Sequence, residues 1–561
     1  MTVEIAGKNI AHLLTEADVD YVSLDRNVTP TGHLETTTGT ALARTISGYQ
    51  GLDGSGIGIA IIDSGIDYNH ELFNRNLTSV PSFSWLGATS FSVMKRRTVS
   101  TVIFNQSFIT SNTIDTYGHG TLLASLISGR KEFLAGGYTG IAPSANLLNL
   151  KVLSDYGTGK ASDVIAAIDW CIKNKTLYNI RIINLSLGTP AMESYQTDPL
   201  CQAARRAFEA GIVVVAAAGN YGKKFSGTKL YGGISSPGID PSVLTVGATN
   251  TRGTDQRSDD LVASYSSRGP TRGYVTDARG NRVYDNLPKP DLVAPGNLIT
   301  GANALGTPDD TSSSKSTSFS NILAKQVPSI VVRSNNASRE MGLMQLSGTS
   351  LATPIVSGTV ALMLQANPNL TPSLVKAILM YSAQPLAGFN TLEQGAGELN
   401  VHGALSLTRL IKPTLSTLQN GDYLLIGALP ASQASTISGE ACIWGQAVIS
   451  RYGFFYGNEL MTYWQGMYGK SALLNDALLW QNGTAVRRLE FVSNSVPMKS
   501  AVMKADGDLL IGGVTIASGI VFADNPTFAS GIVFADGRII FDLNAYSYPL
   551  TGVSLFRGDP N

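Results

Sequence analysis

A doubly wound, mostly parallel α/β sheet with helices on both faces, followed by a β-rich extension, is the fold class this sequence predicts. Three observations predict it. From about Gly51 to Leu410 short apolar runs alternate with longer helical patterns, the order expected of a parallel sheet covered by helices. Two of the runs, Ile57–Ile62 (IGIAII) and Ile212–Ala217 (IVVVAA), are continuously apolar, as strands buried on both faces are. After about Lys412 the texture changes to short β-like runs separated by Gly, Asn and Asp turns. The divisions expected along the chain are 1–48, 49–411 and 412–561.

Taken in order, Ile57–Ile62 is a strand and His119–Ser128 has helical periodicity. Leu147–Leu153 reads as a strand and Ala161–Asn174 as an amphipathic helix. Arg181–Leu187 is a strand, Pro199–Ala210 a helix, and Ile212–Ala217 and Val243–Gly247 are strands. Helical patterns return at Ser350–Ala366 and at Pro372–Ser382, the second introduced by Thr371-Pro372. Asn74–Asn112 and the Ser/Thr/Asn-rich Gly306–Arg339 read as insertions or mobile loops. In the extension, Ala517–Asp524 (ASGIVFAD) recurs unchanged as Ala529–Asp536. Two copies are too few for a solenoid and fit short stacked strands or an appended β module.

The bulk numbers narrow the function classes. The 561 residues exceed one ordinary domain. They are 43% hydrophobic and only 15% charged, with 58 glycines, which suits a compact hydrolase better than a disordered or fibrous chain. Lys plus Arg equals Asp plus Glu at 41 each, so no global field draws the protein to nucleic acid or to an anionic membrane. Cys171, Cys201 and Cys442 are odd in number and far apart. They form neither a disulfide framework nor a paired-cysteine zinc site, and read as small buried hydrophobes. No apolar stretch is long enough in sequence to span a bilayer. Met1–Leu14, with Glu4 and Lys8, lacks a signal-peptide core.

Three polar islands interrupt the apolar scaffold. Asp63-Ser64-Gly65 ends the Ile57–Ile62 strand, where open α/β sheets place their sites. Alone, it reads first as a strand-end turn or a helix-cap aspartate. Gly118-His119-Gly120-Thr121 opens a helical run, and its histidine is one of five. Alone, it reads equally as a helix-capping histidine. Leu346–Pro354 (LSGTSLATP) carries Ser350 into a helix at a place where its backbone N–H has no intrahelical acceptor, with Pro354 expected near the first turn. Alone, this too is a cap. Together they offer a carboxylate, an imidazole and a hydroxyl, the set for nucleophilic catalysis.

These residues resemble the subtilisin-like serine proteases (subtilases), whose signatures surround an Asp in D-S-G, a His in H-G-T and a Ser in G-T-S-x-A-T-P. Asp63, His119 and Ser350 match in the family's chain order. Val213–Asn220 (VVVAAAGN) places Asn220 at the family's side-chain oxyanion donor. Ile183–Gly188, Ser264–Pro270 and Lys289–Gly296 add further likeness. The resemblance implies a subtilisin-like fold and a serine endopeptidase acting through an acyl-enzyme. In it Ser350 is nucleophile, His119 general base, Asp63 its orienting partner, and Asn220 with the Ser350 N–H the oxyanion donors. Ser186, Leu187, Gly188, Ala216, Ala217, Ala218 and Gly219 would flank the substrate pocket, whose small residues suggest broad specificity for protein or peptide substrates.

The resemblance also implies no cofactor for the chemistry, an extracellular or cell-surface location, and a monomer. Val19–Val28 resembles the last strand of the family's inhibitory propeptide, which makes 1–48 a propeptide remnant and linker cut between about Asn27 and Gly48. One departure concerns calcium. The compact bacterial members carry a ligating Asp nine residues after the catalytic one, where this chain has Leu72, and Gly129–Gly140 lacks their asparagine ligands. Structural calcium is therefore unsupported at that site, and no metal ligand is assigned. Two rivals share the fold: a binding protein without catalysis, and a peptide ligase or cyclase using the same three residues. The extension is left open between an adhesion module and a folding aid.

Overall fold

The structure is a computed structural model. It describes residues 32–45, 51–77, 97–130, 139–223, 229–304, 321–333, 342–451 and 453–469, short strands between 479 and 541, and residue 559. The strand expected at Val19–Val28 lies outside these residues, as does most of the first ASGIVFAD copy.

The central sheet comprises β1 (Gly58–Asp63), β2 (Val102–Ser107), β3 (Asn146–Lys151), β4 (Ile180–Leu185), β5 (Val213–Ala217), β6 (Leu244–Asn250), β7 (Leu261–Val262) and β8 (Leu292–Pro295). Its order is β7-β6-β5-β4-β1-β3-β2, with β8 also paired to β6. All pairings are parallel except β7 with β6. From β1 the chain runs to β2 and then β3 on one side, and returns to β4 on the other. β1 is therefore the switch point, and Asp63 is its last residue.

The continuous apolar runs are explained by burial on both faces. Ile59, Ile61, Leu147, Val213, Val215 and Val246 pack into one core with α1 (His119–Ser128), α4 (Thr349–Ala366), α5 (Pro372–Ser382) and α6 (Val401–Leu410). Their neighbours Ala60, Ile62, Leu148, Leu150, Val214 and Ala216 point the other way. They meet Val164, Ala167, Ile168 and Cys171 of α2 (Ala161–Tyr178) and Leu200, Ala203, Ala204 and Ala207 of α3 (Pro199–Glu209). The period of two along each strand thus serves two cores. α4 is long and apolar enough to cross a membrane, but 83% of it is buried in the first core. Its composition reflects that position.

Three expectations are corrected. Asn74–Asn112 is not wholly loop, because its Val102–Ser107 portion is β2, pairing in parallel with β3. The apolar signal there is weak because β2 is an edge strand, only partly buried. Gly306–Arg339 likewise contains a short helix, Ile322–Gln326, and a strand, Val331–Arg333, paired with Leu343–Leu346. Pro354 is the sixth residue of α4 and not in its first turn.

Before the sheet, helices Gly32–Thr37 and Thr40–Thr45 are built into the body, with Leu34 and Ala43 in the first core. The buried Arg257 donates to the carbonyls of Thr37 (2.8 Å) and Leu399 (2.9 Å). The Val401 amide donates to the Thr38 carbonyl at 2.9 Å. Beyond α6 the described strands form antiparallel pairs, from Ala434–Ile437 with Glu440–Ile443 onward. In the second ASGIVFAD copy, Ile532–Ala535 pairs with Arg538–Phe541. The extension is β-rich.

Candidate active site

At the head of the sheet the Asp63 Oδ1 and His119 Nδ1 atoms lie 2.8 Å apart, and both side chains are 1% exposed. The Ser64 amide also donates to Asp63 Oδ1, at 2.8 Å, fixing the carboxylate. Glycine is required beside the histidine. A Cβ at Gly120 would lie 2.2 Å from the Gly65 carbonyl, and Gly118 takes φ 107°, where L side chains are strained.

Neither glycine can cap α1 with a side chain, and Asp115 does so from outside the helix. Its carboxylate accepts from the amides of Gly118 (2.7 Å) and Thr121 (2.8 Å), from Thr121 Oγ1 (2.7 Å) and from Ser64 Oγ (2.9 Å). Ser64 Oγ in turn accepts from the Gly120 amide at 2.9 Å. Burial pushes the Asp115 carboxyl above the usual range, against the pull of these hydrogen bonds and of Lys151. Asp115 lies in no motif of the sequence. The available signal was an acid just ahead of a predicted helix start, where anions are favoured.

Ser350 is the second residue of α4, after an N-cap glycine, Gly348, with extended backbone. Asn220 reaches across to this helix start. Its Oδ1 accepts from the Thr349 amide (2.9 Å) and Thr349 Oγ1 (3.1 Å), which settles the amide orientation and makes Nδ2 the donor side. A methyl placed on Gly348 would lie 3.0 Å from Ser350 Oγ and 3.3 Å from Asn220 Nδ2, so hydroxyl and amide converge on one space.

The mid-helix proline is also accounted for. Pro354 has no N–H to offer the Ser350 carbonyl four residues earlier, and its ring crowds that oxygen. Ser186 Oγ donates to the Ser350 carbonyl instead, at 2.8 Å. Behind it, Asn184 Nδ2 donates to Ser186 Oγ (3.0 Å) and Ser357 Oγ to Asn184 Oδ1 (2.8 Å). Three buried side chains thus line up their protons toward the backbone of Ser350.

A shallow cleft opens beside these groups, lined by Ser186, Leu187, Gly188, Ala217, Gly219, Asn220, Tyr221, Ser235, Thr349 and Ser350. Five of the seven expected pocket residues line it. Ala216 and Ala218 do not, because strand alternation turns them away. Ala216 packs in the core under α3, and Ala218 packs with Ile234 and Ile239. Gly219 is held at φ 102°, and a Cβ there would meet Ser235 Oγ at 2.5 Å. Tyr221 and Ser235 carry no motif and reach the cleft only through the loops on which they ride. Leu72, at the expected calcium position, is fully buried and apolar. Among the described residues no group of three or more His, Cys, Asp or Glu could hold a metal.

The model of the subtilase family (Peptidase S8) matches residues 54–403. The chain belongs to the subtilase family. The subtilase is 32% identical to the serine protease AprX of Bacillus subtilis, over 72% of this chain and 78% of that one. It is 30% identical to subtilisin E of the same species, over 63% and 67%. A crystal structure of a cold adapted subtilisin-like serine proteinase matches 62% of the subtilase and 90% of that chain at 25% identity, with a TM-score of 0.40. The subtilase is a serine-type endopeptidase acting on peptides or proteins, and its chemistry needs no cofactor.

Proposed function

We propose that the subtilase hydrolyses peptide bonds with Ser350 as nucleophile, His119 as general base and acid, and Asp63 as the partner that orients the imidazole. The observation that carries this reading is the buried 2.8 Å contact between Asp63 Oδ1 and His119 Nδ1 at the switch point of the sheet. With Nδ1 facing the carboxylate, Nε2 faces the opposite way and serves the proton transfer. Asp63 stabilises the imidazolium formed when the Ser350 Oγ–H bond breaks and the Oγ–carbonyl bond forms. The proton then passes from His119 to the leaving amine, and water cleaves the acyl-enzyme. Asn220 Nδ2 and the Ser350 amide stabilise the oxyanion.

The cleft wall of Leu187, Ala217, glycines and Tyr221 supports broad specificity for apolar side chains, since no acidic residue lines it. Secretion, a monomer, and activation by removal of residues before the peptidase body belong to the same reading and rest on likeness to subtilisins. The test is a fluorophosphonate probe on folded, processed protein. Labelling at Ser350 that disappears in Ser350→Ala supports the assignment, and failure of the folded protein to label sinks it.

A further inference from the structure

The nucleophile and oxyanion-donor loops share a third neighbour. The amides of Gly222 and Ser267 donate to the carbonyls of Tyr265 and Gly219 at 2.8 and 2.9 Å, so residues 264–267 brace the Asn220 loop. On the other side, the Gly348 amide donates to the Gly296 carbonyl (2.9 Å) and the Leu298 amide to Ser347 Oγ (2.8 Å), so residues 296–298 brace the Ser350 loop. Tyr265 Oη joins the two braces through the Gly296 carbonyl at 2.8 Å.

One residue from the far end of the sequence sits where these braces meet. The Asp559 amide donates to Asn297 Oδ1 (2.7 Å), and its carbonyl accepts from Asn297 Nδ2 (2.9 Å). The Asn297 side chain therefore reads the peptide backbone on donor and acceptor together, as a neighbouring strand would. The Asp559 carboxylate accepts from the Ser264 amide at 2.6 Å and from Ser264 Oγ, and Lys223 Nζ lies 3.2 Å from it. Lys223 also donates to Ser264 Oγ, at 2.5 Å. Asn297 is 4% exposed and the Asp559 side chain 16%. A charge-assisted grip on the side chain is thus combined with a two-point grip on the backbone of the same residue.

We propose that Ser264, Asn297 and Lys223 form a second peptide-binding site, distinct from the substrate cleft, that reads one aspartate in a peptide segment and is occupied by this chain's own Asp559. The geometry favours aspartate over glutamate. Asn297 fixes the backbone while Ser264 holds the carboxylate at close range, so an extra methylene breaks one of the two grips. Because the site ties Lys223, three residues beyond Asn220, to Asn297, within the brace of Ser350, its occupancy links the two loops that meet at the cleft.

The test uses the full chain carrying Ser350→Ala, which reads binding whether or not Ser350 is the nucleophile. Hydrogen exchange resolved at the Ser264 amide is compared between this parent and a version also carrying Asp559→Ala. A rise of at least about tenfold is expected, with an intermediate rise for Asp559→Glu. A fluorescent peptide spanning residues 553–561 is then titrated by anisotropy. It should bind the Asp559→Ala chain, bind the parent at least tenfold more weakly because the site is filled, and lose binding when Asn297→Ala is added. Unchanged exchange at Ser264 overturns the occupancy by Asp559. Faster exchange with no peptide binding to the vacated site overturns the binding site and reduces Asp559 to a structural tether.

Discussion

The two helices that begin at the candidate active site, α1 with His119 and α4 with Ser350, both start from a glycine that cannot cap them with a side chain. They solve the problem differently. At α1 the amides are taken by a buried carboxyl group, that of Asp115, directly at Gly118 and Thr121 and through Ser64 at Gly120. At α4 the cap is neutral, and Asn220 Oδ1 takes the amide and hydroxyl of Thr349. The difference follows the chemistry each start performs. A carboxyl group is compatible with α1, where proton transfer places positive charge and not negative. An anion at α4 would oppose the negative charge that develops beside Ser350, so an amide that accepts on one side and donates on the other is the suitable cap.

Breaking the neutral cap should have the largest effect. Asn220→Leu is expected to lower kcat by on the order of 10²–10³, the scale known for loss of the oxyanion amide in a subtilisin. KM should change little, and steady-state kinetics on a peptide amide reads both. Breaking the carboxyl cap should act mainly on stability. Asp115→Ala leaves several buried donors without an acceptor and should cost on the order of 4 kcal/mol, measured by chemical denaturation.

A subtler break concerns the Ser350 carbonyl. Ser186→Ala removes its donor and should cost about 1–2 kcal/mol with a drop in kcat. In a Pro354→Ala background the restored helical N–H can serve that oxygen, so the same Ser186→Ala change should cost less. A double-mutant cycle that instead gives additive losses would show that the two residues do not act on one carbonyl.

The smallest effect sharpens the contrast through pH. Burial raises the folded-state value of Asp115, so above the ordinary value of about 4 the folded protein holds a proton that the unfolded chain has released. Stability assigned to this group therefore falls as pH rises upward from about 4. The melting temperature should decline relative to Asp115→Asn over that range. Asn220 does not titrate, so the α4 cap should add no such slope.

What the sequence disclosed and what it concealed divide along physical lines. The buried strands were legible because their runs are apolar on both faces, and β2 was not, because an edge strand carries half the signal. Asp63, His119, Asn220 and Ser350 each sit in a glycine-rich motif whose spacing reflects close backbone approaches. Asp115 acts through three dimensions with an unremarkable Asp-Thr-Tyr around it. The Ser186 and Pro354 partnership spans more than 160 residues, and neither residue signals the other. The resemblance places Ala216–Gly219 beside the pocket as one segment, and the sequence carries no sign that Ala216 and Ala218 pack into apolar clusters while Ala217 lines the cleft.

The two short helices at residues 32–45 bear on the proposed removal of residues before the peptidase body. Arg257 grips the Thr37 carbonyl, Val401 the Thr38 carbonyl, and Leu34 and Ala43 fill core space. A cut just after Thr45 would sever the chain without releasing the piece. A contact that was intramolecular would become a complex of two chains, its lifetime set by an off-rate and its refilling by concentration. Dilution after cleavage would then act as a timer on the enzyme's final form.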